Sequence, residues 1–471
     1  MTREHHGTES GLSPTEEIVH RCFSIRYEDI PEPARRRAHE LVRDTVGVVL
    51  GSTTTTESSS IARDFITATY GSGPATVAGA AEGTSAPAAA FANATIAHGI
   101  ELDDTHSGAS IHPGAVIIPT VLAVGEREGT TGRDALVATV AGYELMIRIS
   151  RAADPAALYA RGFHPTSCCG VFGAALSASM LMECSLEEAV NAVGIAGSFS
   201  AGNLEYLTDG TLSKRIQPGI AAQAGVTSAE LAARGYTGPK TILEGDHGFL
   251  QGYSDKSDVD RLSTSIDDDH EYEITRTGIK PHACCRYNQT PIDAVLQLQD
   301  QHGFTAEEVE SIDIGLVGAA MVLVGEPAVD KKHPKTTTDA QFSVHYSVAI
   351  ALREGRAFVE QYREPLLSDD DVLDLARRVT ASHAEDLEQY YPDNFPAAAT
   401  VRTRDGEEFT TSLQTCRGDP ANPLSREELT EKYEELARRF LDEKSLTELD
   451  QLLRSLEQVD DVSVIGSYLR G

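Results

Sequence analysis

The chain has 471 residues, 41% of them hydrophobic, with a mean hydropathy of −0.24, a length at which one compact core usually gives way to two domains. Its 40 Lys and Arg against 72 Asp and Glu leave a formal net charge of −32, a surface that repels nucleic acid and anionic membranes. No run approaches the roughly 20 apolar residues of a membrane span, and the opening MTREHHGTESGLSPTEEIV has no apolar core of a secretory signal.

Motifs of the form Ser/Thr-x-x-Glu/Asp, in which the two side chains cap a helix start reciprocally, stand at Ser13–Glu16, Thr131–Asp134, Ser185–Glu188, Thr305–Glu308, Ser425–Glu428 and Ser445–Glu448. From Pro33 to about Gly235 the pattern predicts little but helices joined by short Gly, Pro and Ser links. In GRDALVATVAGYELMIRISRA, Leu136, Val140, Tyr143 and Ile147 fall on one stripe. Many of these helices are so rich in alanine that they must pack inside a bundle. The polar, acidic SDKSDVDRLSTSIDDDHE, after Gly252, marks a boundary. Beyond it YEITRTGI, VESIDIGLV and AATVRTRDGEEFTTSLQ have β character, the last with Asp405-Gly406 as a hairpin turn. Further helices are expected over about 288–301 and 339–353, and again from Ser425. The expected fold is mainly α. A large helical domain covers 1–265, a smaller α+β lid domain covers 266–415, and C-terminal helices over 416–471 return to the helical domain.

Four stretches concentrate chemistry. In HGIELDDTHSGASIHPGAVIIP, residues 98–119, His98, Asp103, Asp104, His106 and His112 are of metal-binding types. Gly108 and Pro113 break the helix that a paired-histidine site needs, so no metal is expected. A solvated loop fits SGAS but not the flanks, where apolar and charged residues interleave. Carboxylates and imidazoles at the edge of an apolar core have shifted pKa values, as acid/base work requires. In RGFHPTSCCGVFGAA, His164 precedes a small-residue helix start whose free N–H groups suit a carboxylate; a plain cap with a surface histidine fits equally well. The adjacent Cys168 and Cys169 read as buried small hydrophobes. In LSKRIQPGIAAQAG, Lys214-Arg215 leads into a buried helix at Pro218-Gly219, and Lys214 is the first of only nine lysines. In GIKPHACCRYNQTPIDAV, Lys280, His282, Arg286 and Tyr287 supply cations for a polycarboxylate and open a helix at about Gln289.

Absences narrow the chemistry further. There is no GxGxxG after a strand, no P-loop and no GxSxG. The seven cysteines contain no CxxC, which points away from an iron–sulfur cluster and a disulfide framework and toward a reducing cytoplasm. The acidity and scarce lysine suit a high-salt milieu in which self-repulsion is screened. A site of His, Asp/Glu and Lys without a cofactor suits proton transfer next to a carboxylate.

Taken in order, HGIELDDTH, IHPGAVIIP, RGFHPTS, LSKRIQPG, IKPHACCRYNQTPIDA, TTTDAQFSVHYSVAIAL and GDPANPLSREEL resemble the MmgE/PrpD family over nearly the whole chain. Its members include 2-methylcitrate dehydratases, cis-aconitate decarboxylases and iminodisuccinate epimerases. The resemblance implies a homodimer, an active site between the helical and lid domains, and no metal or organic cofactor. It places active-site residues on Glu101, Thr105, His112, His164, Lys214 and Lys280. This chain departs from the family at Glu101, often an aspartate, at His282, and by one extra residue between Thr105 and His112, around His106 and SGAS, where specificity is expected to differ. The preferred expectation is a lyase acting on a di- or tricarboxylate, most concretely 2-methylcitrate dehydration. In it Lys214, Lys280 and Arg286 hold carboxylates, His112 and His164 move protons, and Asp103, Asp104 and Thr105 orient them. The alternatives are decarboxylation of an unsaturated tricarboxylate, epimerisation beside a carboxylate and, remotely, a non-catalytic carboxylate-binding protein.

Overall fold

The computed structural model of the chain describes residues 11–263 and 271–471. The segment 1–10, with most of the stretch read for a secretory signal, lies outside the described residues. So does 264–270, in which the expected boundary at 265/266 falls.

The helices that matter for the site are α1 (Glu32–Thr53), α2 (Glu57–Thr69), α3 (Ala86–Ala97), α4 (Gly114–Glu128), α5 (Gly132–Ala153), α6 (Pro165–Leu181) and α7 (Ser213–Ala232). Every residue of α3 except Pro87 is buried, and in α6 every residue except Met180. Such helices carry no amphipathic stripe because they have neighbours on all sides. Small residues let them approach. A Cβ on Gly173 of α6 would stand 2.7 Å from the carbonyl oxygen of Gly142 in α5. The stripe predicted in α5, Leu136, Val140, Tyr143 and Ile147, is buried throughout.

Complete capping boxes form at Ser13, Ser185, Thr305 and Ser425, and one more at Thr336–Asp339. Thr131 caps α5 by accepting from the Asp134 backbone, and its hydroxyl donates to the Asp134 carboxylate. Ser445 opens no helix: Asp442 takes the cap position, accepts from the Ser445 backbone, and the helix starts at Glu443. Likewise α7 begins at Ser213 rather than at Pro218, so Lys214 and Arg215 lie in its first turn.

Strands β1 (Thr105–His106) and β2 (Thr277–Gly278) form a two-residue antiparallel ladder, Thr105 opposite Gly278. YEITRTGI contributes only β2; Glu273–Arg276 winds into a 3-10 turn. The Glu273 backbone donates to Glu144 of α5 and its carboxylate takes Arg151 and His106, so contacts with the bundle replace a longer ladder. After α8 (Arg286–His302), strands β3 (Val309–Leu316), β4 (Val379–His383), β5 (Ala397–Thr403) and β6 (Glu408–Leu413) form one sheet in the order β4-β3-β5-β6. Only the β3–β4 pair is parallel, with Ile312 opposite Val379. Gly406, at φ +92°, takes the left-handed position of the β5–β6 turn. The helix expected over 339–353 is two, Thr337–Gln341 and α9 (Val344–Glu354), because Ser343 breaks off to cap the second through Tyr346 N.

One apolar core runs from Ile18 to Ile279 and resumes over Tyr433–Leu469, in α10 (Arg426–Ala437), α11 (Glu443–Arg454) and the helix after them. A second lies under the sheet, from Cys285 to Val401. A third joins Val48, Ile100 and Leu102 to Ala283, Ile292, Tyr346 and Leu436. The loop after α3 is therefore packed where the two larger cores meet. Among the described residues no helix is long and apolar enough to cross a membrane.

The close approach of α5 and α6 is testable. Gly173→Ala forces a methyl against a backbone carbonyl and is expected to cost about 1–3 kcal/mol in urea unfolding. Gly252→Ala, where a Cβ meets nothing within 4 Å, should stay within about 0.5 kcal/mol. Equal effects would mean that the two helices are not in contact through their glycines.

Candidate active site

The loop from His98 to Thr105 alternates. Ile100 and Leu102 point into the junction core, so Glu101 and Asp103 are turned the other way, both buried. Glu101 sits at φ +57°, a left-handed conformation that costs a non-glycine residue about 1–2 kcal/mol. Its side chain explains the conformation. The carboxylate accepts from Lys214 Nζ and from Arg215 Nη1, and Lys280 Nζ lies 3.5 Å from Oε2 and 3.2 Å from the Glu101 carbonyl. Arg215 also holds the His98 carbonyl at 3.0 Å and Gln341 Oε1 at 2.8 Å.

Asp103 Oδ2 is 2.6 Å from His98 Nδ1 and 3.7 Å from His112 Nδ1, and Oδ1 is 3.6 Å from Lys280 Nζ. Burial alone pushes both carboxyls up. For Glu101, Lys214, Arg215 and Lys280 outweigh it; for Asp103, His98, His112 and Lys280 do. Both acids stay ionised, well below the usual carboxylate range. Burial pulls Lys214 down to about 8, partly resisted by Glu101. Burial also lowers Lys280, but Asp103 and Glu101 more than offset it, and its pKa ends up raised.

Three histidines face one another across this network, His98 with ring centroids 5.2 Å from His112 and 6.1 Å from His164. Their hydrogen bonds assign the tautomers. His98 accepts at Nε2 from Lys214 at 2.8 Å, so Nδ1 carries the proton toward Asp103. His112 donates from Nδ1 to the Asp104 carbonyl at 2.7 Å, with Thr105 Oγ1 at 3.2 Å, which leaves Nε2 as a lone pair. His164 donates from Nδ1 to Gln217 Oε1 at 2.6 Å, and its Nε2 is likewise unprotonated. Burial drives the pKa of His112 down to about 3 and that of His164 well below the usual imidazole value; neighbouring Lys214 pushes both the same way.

These groups border a cavity walled by Glu101, Thr105, His112, His164, Lys214 and Arg286, and by Ser110, Tyr159, Tyr206, Tyr287, Phe342 and Phe395. Lys214 Nζ lies 5.1 Å from the Phe342 ring centroid. His164, at 2% exposure, is no surface cap. Lys280 and Asp103 stand behind Glu101 rather than on the wall.

Asp104, expected to bind substrate, is turned away. Its Oδ1 accepts from Gly114 N at 2.9 Å, at the α4 start, and Oδ2 from Tyr143 OH of α5 at 2.7 Å. Burial and the nearby Asp103 push its carboxyl up to about 7, although the Tyr143 hydrogen bond pulls it down. Arg286 reaches the wall but is already paired, with Asp419 at 2.7 Å and Ser107 Oγ at 3.2 Å. His282 pairs with Asp293 at 3.0 Å, away from the cavity. His106 is buried and turned away from the cavity, to Glu273 at 3.2 Å, so of the stretch around the one extra residue, His106 and SGAS, Ser110 is the residue that reaches the wall.

The adjacent cysteines are buried and free, and burial pushes the Cys168 thiol up to about 12, as befits small hydrophobes. Among the described residues no group of three or more His, Cys, Asp or Glu is arranged to hold a metal ion. Sequence reasoning missed Tyr159, Tyr206, Phe342 and Phe395; Phe342 lies within the quoted TTTDAQFSVHYSVAIAL but was given no role, and the other three sit in stretches with no local signal. It noted Arg215 without giving it the role of clamping Glu101.

Comparison with known proteins adds two findings. Residues 16–262 match the model of the MmgE/PrpD N-terminal domain and residues 282–458 that of the MmgE/PrpD C-terminal domain. The chain is 28% identical over 498 residues to the cis-aconitate decarboxylase of Aspergillus terreus, covering 100% of this chain and 98% of that one. It is 28% identical over 478 residues to the cis-aconitate decarboxylase-like protein oryM of Aspergillus oryzae, covering 97% of each. To the human cis-aconitate decarboxylase it is 26% identical over 476 residues, 98% of this chain and 95% of the relative.

The raised Asp104 carboxyl makes stability depend on pH. A carboxyl whose folded pKa is raised contributes stability that is full below pH 4 and is lost as pH rises through about 7. Asp104→Asn mimics the neutral form. From pH 5 to pH 8 its stability relative to the parent should therefore improve by roughly 1–3 kcal/mol, read by thermal or urea unfolding. A pH-independent difference would show that Asp104 is ionised throughout.

Proposed function

This chain belongs to the MmgE/PrpD family, and on that premise we propose that it is a cis-aconitate-type decarboxylase, a lyase acting on an unsaturated tricarboxylate. The order of preference drawn from the sequence is reversed. Dehydration of 2-methylcitrate has no particular support in the comparisons, whereas the relatives above are named for decarboxylation. The observation that carries the reading is the charge balance at the cavity. Among the described residues the carboxylates paired with Lys214, Arg215 and Lys280 are Glu101 and Asp103, so this network keeps one net positive charge inside a protein of formal charge −32.

Loss of carbon dioxide from a tricarboxylate with a β,γ double bond needs three things. The bond to one carboxylate breaks and its electron pair forms a new double bond. The former π pair takes up a proton at the far carbon, and the retained carboxylates must be held. Lys214, on the wall and with a pKa near 8, carries a proton at neutral pH and is placed to give it. Glu101 and His98, hydrogen-bonded to Lys214, orient that ammonium. The unprotonated Nε2 atoms of His112 and His164 are acceptors, and the charge of a bound polyanion raises their proton affinity. Arg286, Tyr159, Tyr206 and Tyr287 line the wall that the retained carboxylates would meet. Lys280 and Asp103 act one layer back, holding Glu101 and the imidazoles.

The helical domain at 1–265, the lid at 266–415 and the return at 416–471 belong to the same proposal, supported by separate bundle and sheet cores, with Tyr272, Ile274 and Ile279 packed in the bundle core and the sheet core opening at Cys285. So does the homodimer. Ile61 and Phe65 of α2 and Ile216 and Ile220 of α7 are exposed, with Phe65 6.0 Å from the Phe91 ring and Gly219 of α7 close against the same residue. On so acidic a chain, an apolar face of this kind fits a second copy. Light scattering should read a dimer, and Ile216→Asp should shift it toward monomer.

The reaction is tested with purified protein, chelator and cis-aconitate. Carbon dioxide should appear in step with loss of substrate. A rise in conjugated absorbance from 2-methylcitrate without gas, or solvent deuterium exchange without net reaction, would replace decarboxylation by dehydration or epimerisation. Activity should fall as pH rises through about 8, where Lys214 loses its proton. Lys214→Arg keeps the charge and should lower kcat about 100-fold or more while abolishing that alkaline limb. A limb that persists in this variant would assign the proton to a histidine.

A further inference from the structure

A second pocket, of about 220 Å³, lies outside the cavity between α1, α10 and α11. Four guanidinium groups converge on it: Arg36 and Arg43 from α1, Arg426 from α10 and Arg454 from α11. Their counter-charges fall short. Arg43 and Arg454 share one carboxylate, Asp450, at 2.5 and 2.7 Å. Among the described residues Arg36 pairs with the exposed Glu32 alone, at 3.2 Å, and no carboxylate pairs with Arg426. Of the acids on the wall, Glu40 is drawn off by Arg37 at 3.0 Å and Asp44 by Lys432 at 2.7 Å. In a chain with 72 acidic residues this local excess of cations is out of character.

Arg43 makes the case specific. It is 7% exposed, donates from Nη1 to the Leu429 carbonyl at 3.1 Å, and has Cζ over the Tyr433 ring, 4.5 Å from its centroid. Its Nη2 is buried with no hydrogen-bond partner among the described residues. A buried donor left unmet costs about 1–3 kcal/mol, so an acceptor belongs there. Asp44, 6% exposed and on the wall of the same pocket, leaves Oδ2 without a hydrogen-bond partner among the described residues. The missing group must therefore accept from arginines and donate to a carboxylate at once. Hydrogen phosphate does both, and its oxygens match the guanidinium fork. A fully ionised carboxylate or sulfate has no proton to give.

We propose that this pocket is a binding site for a phosphate group, free or on a small metabolite, and that its occupancy reaches the catalytic loop. The connection is short. Asp44 holds Lys432, and Lys432 Nζ donates to the Leu102 carbonyl at 3.0 Å, between Glu101 and Asp103. A ligand that competes for Asp44 Oδ2 alters the pull of Lys432 on that loop.

The test is calorimetric titration of the full chain with inorganic phosphate, glycerol 3-phosphate and sulfate at fixed ionic strength. The Arg36→Ala/Arg426→Ala variant, whose replaced side chains are exposed, is titrated alongside; its unfolding midpoint without ligand checks the fold. Saturable phosphate binding, at least tenfold weaker in the variant and at least fivefold weaker for sulfate, is the expected result. Tighter binding of glycerol 3-phosphate than of phosphate assigns the site to a metabolite, and the reverse order to the free ion. No saturable binding, or equal affinity in parent and variant, overturns the site. Phosphate should change kcat or KM at least twofold in the parent and not in the variant; unchanged kinetics overturn the link to the loop. Because binding is measured without turnover, failure of the decarboxylase reading leaves this result standing.

Discussion

Glu101 and Asp103 are ionised, buried, and two residues apart in a bundle made mostly of alanine, valine and isoleucine. An ionised carboxylate taken out of water costs several kcal/mol unless cations and hydrogen-bond donors surround it. The donors come from distant parts of the chain: Lys214 and Arg215 from the first turn of α7, Lys280 from just beyond β2. Loss of any one would strand a buried charge. The left-handed Glu101, the α7 start that precedes Pro218 and the two-residue ladder that carries Lys280 inward all serve this neutralisation.

The histidines are the other half of the same balance. With two carboxylates already matched against three cations, further positive charge is disfavoured, and burial keeps His98, His112 and His164 neutral. Their tautomers are then dictated by fixed acceptors: a carboxylate, a backbone carbonyl and an amide oxygen. In the proposed reaction the proton therefore comes from Lys214, held near 8, rather than from the histidines that the sequence reading assigned to proton transfer. In a dry surrounding such interactions are stronger than in water, so small displacements of the Glu101 loop carry large electrostatic consequences.

The exterior follows different rules. Its acidity is spread over exposed side chains, many in pairs one helical turn apart, such as Arg21–Glu17 and Arg438–Glu434, which contribute little individually. The arginine pocket is the exception in both respects: its charge is concentrated, and Arg43 is buried and incompletely satisfied. The Asp44–Lys432 pair joins that exterior feature to the interior network, so the two polar regions share one ion pair rather than standing apart.

Much of the architecture was legible along the chain because it rests on local chemistry. Helix starts follow from Ser/Thr and acid spacing, the buried bundle from alanine-rich periodicity, and the β5–β6 hairpin from Asp405-Gly406. The ordered motifs that carry the family resemblance likewise marked Glu101, Thr105, His112, His164 and Lys214, which border the cavity, and Lys280, which stands behind Glu101. What the chain alone could not disclose is which charge meets which. Asp104 looks equivalent to Asp103, yet it faces Tyr143 and Gly114 while its neighbour faces His98. Arg286 looks like a free cation until Asp419, 133 residues away, claims it. Tyr159, Tyr206, Phe342 and Phe395 become neighbours only through packing. Propensity and capping act over a few residues and leave a trace in sequence, whereas burial and ion pairing depend on atoms brought together from the whole chain, and only the folded structure decides them.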